Sequence, residues 1–198
     1  MPKISIPAHT INQKKYNTNA CRTQGKRFLL YIMIDANSLI QHYALAPHPE
    51  GGHYCRSYTS PLHLPASAAL GCAGSRPAAS AILFLLKSGE YSRLHRLKQD
   101  ELWHFYYGAP LRVVSISPTG QTHEIIMGHD IFAGHSVQYC LPAGTWFGAS
   151  PCAGGAFSFI GCTLTPSFHF DDFEMAQRDD LLKRFPHAHK IIHEFTQA

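Results

Sequence analysis

The chain has 198 residues, of which 45% are hydrophobic, 12% aromatic and 15% charged. That balance excludes disorder of the whole chain and supplies apolar material for one sizeable core, and the length fits one domain better than two. The formal net charge of +4 comes with no run of Lys and Arg interleaved with aromatics, which excludes a nucleic-acid-binding segment; the 14 His make the charge climb steeply on mild acidification.

Residues 1–27 are polar and without period. With the apolar run 28–34 they are expected to form a disordered tail over 1–34, leaving one domain over 35–198. The apolar run is far short of the ~20 residues a membrane span needs and is followed by no small-residue cleavage site, so a cytoplasmic protein is expected. Met33 is a candidate for the true start. A short helix is expected over 37–46, capped by Asn37 or Ser38 and ended by Pro47 and Pro49. Strand patterns follow at 53–60, 81–86, 92–97, 101–107, 111–117, 122–127, 136–141, 145–149 and 156–164, with 61–77 as a loop. Past Pro166 the apolar Phe168, Phe170, Phe173 and Met175 are expected to pack onto the strands, and 179–185 and 189–195 read as short helices. Short strands at close spacing point to a jelly roll or closed barrel. The six Cys form no Cys-x-x-Cys pair, which argues against a structural zinc site, and they are read as reduced thiols in or near strands.

One stretch carries chemistry. Gly89, His95, Leu97, Glu101 and Gly108 fall in the pattern Gly-x5-His-x-Leu-x3-Glu-x6-Gly. His95 and Leu97 are two apart on one strand and so face the same side; Glu101 comes from the next strand after a turn. A second cluster holds Gly134, Pro142-Ala143-Gly144, Trp146 and Phe147.

These spacings resemble the two cupin motifs. Leu97 stands where the second His of the first motif would be, and Phe147 where the last His of the second would be. The blocks His48-Pro49-Glu50-Gly51-Gly52, Asp100-Glu101-Leu102-Trp103-His104, Pro142-Ala143-Gly144-Thr145-Trp146 and Gly161-Cys162-Thr163-Leu164-Thr165-Pro166 resemble, in order, one cupin branch of unassigned function. The resemblance implies an all-β fold, a double-stranded β-helix (the cupin jelly-roll barrel) with a short N-terminal helix and short C-terminal helices. It also implies a homodimer and a small-molecule ligand, sugar-like by analogy of fold.

The site expected on this basis has His95 as a base oriented by Glu101, with Tyr106 or Tyr107 as proton donor. Glu50, Arg56, Leu97, Trp103, Phe105, Trp146 and Phe147 are expected to line the pocket. The resemblance implies a divalent metal, for which only His95 and Glu101 remain as ligands, since Leu97 and Phe147 cannot coordinate. Three functions follow. The first is a sugar or sugar-nucleotide isomerase or epimerase. The second is a non-catalytic ligand-binding cupin. The third, a metal-dependent oxygenase or lyase, is weakened by the missing ligands.

Overall fold

The structure is a computed structural model, which describes residues 34–65 and 74–197. The expected tail over 1–34 and the start at Met33 lie outside the described residues, Ile34 apart.

Helix α1 (Ala36–Tyr43) is capped by Asp35, two residues before the nearer expected cap Asn37, because the Asp35 carboxylate accepts the Ser38 N–H at 2.9 Å. It ends on Ala44 in the left-handed region, φ 51°. The strands follow as β1 (Ala46–Pro47), β2 (His53–Thr59), β3 (His63–Leu64), β4 (Arg76–Pro77), β5 (Ser80–Lys87), β6 (Ser92–Leu97), β7 (Glu101–Gly108), β8 (Leu111–Ile116), β9 (Thr122–Met127), β10 (Gln138–Leu141), β11 (Trp146–Pro151), β12 (Phe157–Leu164) and β13 (Phe173–Met175). Helices α2 (Arg178–Arg184) and α3 (His189–Phe195) close the chain. Three stretches differ from expectation. The helix expected to reach 46 stops at Tyr43, turned by Ala44, and Ala46–Pro47 pair with β2 as β1 instead. The segment read as a loop carries the two-residue pair β3 and β4, too short to show a period. The aromatic run after Pro166 ends in a strand, β13, paired to the edge of β6.

Two antiparallel sheets make the barrel, in the orders β1-β2-β5-β12-β7-β10 and β13-β6-β11-β8-β9. Their inner faces share one core: Phe84 and Leu86 of β5, Trp103 and Phe105 of β7, Val113 of β8, Phe147 of β11 and Ile160 of β12. This is the jelly-roll architecture, with alternate residues of each strand sent into the lumen. The outer face of the second sheet buries Leu94, Val114, Ile116 and Trp146 under α2 and α3, and α1 covers Leu85, Phe157 and Phe159 on the first. No described helix is long and apolar enough to cross a membrane. The described cysteines Cys55, Cys140, Cys152 and Cys162 are unbridged.

Candidate functional site

The hydrophobic filling of the barrel stops short of one end, where a cavity of about 270 Å³ opens. Its wall is aromatic and aliphatic, with Tyr54, Trp103, Phe168 and Phe173 among the lining residues. Its polar groups are His48, Glu50, His95, Glu101 and Cys162, with Arg56 at the exposed edge. A wider groove of about 850 Å³ lies outside, between Arg93 and the segment before α2; its acids, Asp179 and Asp180, are exposed, and it contains no buried acid.

Glu50 reaches the cavity from the loop between β1 and β2. The loop turns on Gly51, φ 115°, and Gly52, φ 68°; a Cβ on Gly51 would run into the Tyr91 carbonyl, so only glycine lets the loop lie this close. Arg93 fastens it from β6, its backbone N–H and its Nε both donating to the Glu50 carbonyl, at 2.9 and 3.1 Å, and its guanidinium donating to the Pro49 carbonyl. The Glu50 side chain then sits 7% exposed, with Oε1 accepting from the Ser92 hydroxyl at 2.8 Å.

His95, 2% exposed, lies with Nε2 3.2 Å from Glu50 Oε2 and Nδ1 2.7 Å from the Arg93 carbonyl. A carbonyl only accepts, so Nδ1 carries a hydrogen, and the neutral ring presents the lone pair of Nε2 to Glu50. At 3.2 Å the two atoms lie in ion-pair range, a contact that a proton on either the carboxyl or the ring makes favourable. Burial pushes the His95 pKa down, against Glu101 and the Arg93 carbonyl, and pushes that of Glu50 up, against His48, Ser92 and Arg93. His48 sits 3.4 Å from Glu50 Oε2 and is also pushed down by burial.

Glu101 stands apart from this pair. No cationic nitrogen of the described residues comes within ion-pair range of it; the partner of His95 is Glu50. Burial raises its pKa from 4.5 to about 7, with His95 opposing and Glu50 reinforcing the rise; the Trp103 indole N–H and the Cys162 thiol pull it back. The Trp103 N–H is close enough for that effect but forms no hydrogen bond of good geometry. The Cys162 thiol is itself pushed up by burial and by Glu101.

The cavity mouth is set by a clamp. Asp172 is buried against Arg76, accepts from Gln99 Nε2 at 2.6 Å and lies 3.5 Å from Lys98 Nζ. This ties the aromatic segment Phe168–Phe173 to β4 and to the turn after β6. The ring of Phe173 stacks obliquely at 5.3 Å from His95.

Of the residues expected at the site, the structure brings Glu50, Arg56, His95, Leu97, Glu101 and Trp103 to the cavity. It does not bring Phe105, Tyr106, Tyr107, Trp146 or Phe147. A bulge in β7 opposite Phe159/Ile160 leaves Tyr106 without a register partner, so alternation fails there and Tyr106 and Tyr107 end 46% and 40% exposed. Phe105 is core further down the lumen. Phe147 lies beneath His95, ring centroids 4.2 Å apart, and its neighbour Trp146 faces the opposite side, under the C-terminal helices. The orientation of His95 by Glu101 is corrected likewise: its partners are Glu50 and the Arg93 carbonyl. Sequence reasoning missed the roles of His48, Ser92 and Cys162; His48 was in view as the first residue of the His-Pro-Glu-Gly-Gly block.

The donor set does not fit the divalent metal that the cupin motifs imply. Leu97 and Phe147 offer no donor atoms and His95 uses both nitrogens within the protein. Among the described residues, no group of three or more His, Cys, Asp or Glu is disposed to hold an ion.

Fold and site define a cupin barrel with an acid-lined internal cavity. The chain belongs to the family described as cupin superfamily (DUF985), whose model matches residues 37–176. It is similar to a crystal structure of a protein from Shewanella oneidensis, at 36% identity and TM-score 0.76, over 83% of this chain and 99% of that one. A hypothetical protein from Leishmania major is similar at 28% identity and TM-score 0.77, over 83% and 100%. A variant of oxalate decarboxylase from Bacillus subtilis matches at 13% identity and TM-score 0.47, over 76% of this chain and 37% of that one, too distant to bear on activity. No curated protein matches.

Proposed function

We propose that this cupin binds a compact molecule of sugar size and moves a proton on it, in isomerase- or epimerase-like chemistry. The observation that carries the reading is the buried Glu50–His95 contact, 3.2 Å between carboxyl and imidazole, beside an enclosed, mostly apolar cavity. Such a pair takes a proton from carbon next to a carbonyl and can return it to the neighbouring carbon from the same face, which is the isomerase step; epimerisation needs a second acid on the opposite face. The apolar wall strengthens every charge interaction inside. A sugar nucleotide suits the cavity poorly: about 270 Å³ accommodates one small molecule, and Arg56 at the edge is the one Arg or Lys among its lining residues. A metal-dependent oxygenase or lyase would need donors that Leu97 and Phe147 do not supply. In this reading no metal takes part.

Proton–deuterium exchange, followed by NMR over a panel of aldoses, ketoses and amino sugars, tests it. Exchange into at least one compound is expected, with loss in His95→Gln. No exchange with any compound would leave the binding-only cupin, which the apolar Leu97 and Phe147 favour. A homodimer in the cytoplasm is proposed alongside. The exposed Ile131, Phe132 and Val137 support a covered surface, and the unbridged cysteines suit a reducing compartment. Sedimentation as a monomer at tens of micromolar would contradict the dimer.

A further inference from the structure

The cavity wall and the charge inside it bear on what the ligand carries, a question that rests on the reading of the cavity as a small-molecule site. Glu101 lines the cavity at 6% exposure and has no cation within ion-pair range among the described residues. Glu50 contributes a second carboxyl close by, close enough to act on Glu101, but that one is engaged by Ser92 and His95. Around these acids stand Tyr54, Trp103, Phe168 and Phe173. Aromatic rings attract cations through the negative potential of their faces, most strongly where water is excluded. A carboxylate among such rings is complementary to a positive nitrogen. An anion would meet two acids, with Arg56 at the edge as the one Arg or Lys among the lining residues.

We propose that the cavity takes a small organic ammonium compound, its positive nitrogen placed between the Glu101 carboxyl and these four rings. The ligand supplies the counter-charge that the fold withholds from Glu101. The other titratable groups that face it are Glu50, His48, His95 and Cys162 inside and Arg56 at the mouth. The first three are held to one another, and burial raises the thiol.

The test is calorimetric titration of the full-length protein with two matched pairs, choline against 3,3-dimethylbutan-1-ol and glucosamine against glucose. At least one cation is expected to bind tenfold or more tightly than its neutral twin. Its affinity should rise about tenfold per pH unit from 5 to about 7 and then level, as the cation displaces the Glu101 proton. Titration at pH 6 in two buffers of different ionisation enthalpy should show close to one proton released, a readout that needs no variant. In Glu101→Gln, checked for folding by its melting curve, the preference for the cation over its neutral twin should vanish. Equal affinity within both pairs, or uptake rather than release of a proton, would overturn the inference. A cation preference without deuterium exchange leaves this inference standing and removes the isomerase reading; exchange on neutral sugars without cation preference does the reverse.

Discussion

Two buried carboxyls, one in the clamp and one in the cavity, show how the same chemical group is put to different ends. Asp172 and Glu101 are 3% and 6% exposed. Burial raises the pKa of Asp172, but the Gln99 hydrogen bond, Arg76 and Lys98 more than undo it, and the net shift is downward. Burial also raises that of Glu101, and His95, Trp103 and Cys162 only partly offset it, so it reaches about 7. A carboxylate with its counter-ion supplied is a fastening. One without is held ready for a proton or a ligand, and clefts are where such groups mark function.

The largest effect should come from unfastening the clamp. Arg76→Ala leaves Asp172 charged and buried without its main partner and should destabilise the protein by about 3–5 kcal/mol in urea unfolding at pH 7. Glu101→Gln should act in the opposite direction. Because the folded-state pKa of Glu101 is raised, the stability it contributes is fully present below 4.5 and is lost as pH rises through about 7. The variant escapes that loss, so it should be more stable than the parent by about 3 kcal/mol at pH 8 and no more stable at pH 4. His95 and His48, pushed down, give the opposite slope; His95 loses the opposing pull of Glu101 in the variant, so the difference between the two proteins reports Glu101 together with its coupling to His95.

The comparison sharpens if the cavity acid is given metal-binding company. Phe147 pairs in register with His95, and Leu97 follows it on the same face. In the double variant Leu97→His, Phe147→His, zinc at a hundred times its Kd should restore about 2.7 kcal/mol, while the parent gains much less; equal gains would place the metal elsewhere. The smallest effect is expected from Tyr106→Phe. Its hydroxyl lies over Gly161 on the outside of the sheet, so ligand affinity should be unchanged and stability should move by less than about 0.5 kcal/mol.

Strand alternation was enough to send His95, Leu97, Glu101 and Trp103 inward from sequence, because the register shift in β6 lies before His95 and the first half of β7 is regular. The same rule failed at Tyr107, where the bulge consumes one residue, and bulges leave no mark in a hydrophobic pattern. It could not serve both Trp146 and Phe147, since neighbours on a strand face opposite ways. Glu50 was legible as a carboxylate before two glycines, but its partner His95 is set by a loop fold that no local pattern encodes. The Asp172 clamp was hidden for the same reason: Arg76 and Gln99 are brought to it only by the closure of the barrel.

The contrast between the two acids is tested most directly by titrating Glu101 itself, as the carboxyl band lost in the infrared difference spectrum between the protein and Glu101→Gln from pH 3 to 9. The account predicts a midpoint near 7, falling when choline or glucosamine is bound. A midpoint near 4.5, unmoved by any cation, would show that Glu101 is an ordinary solvated carboxylate and would contradict the central claim.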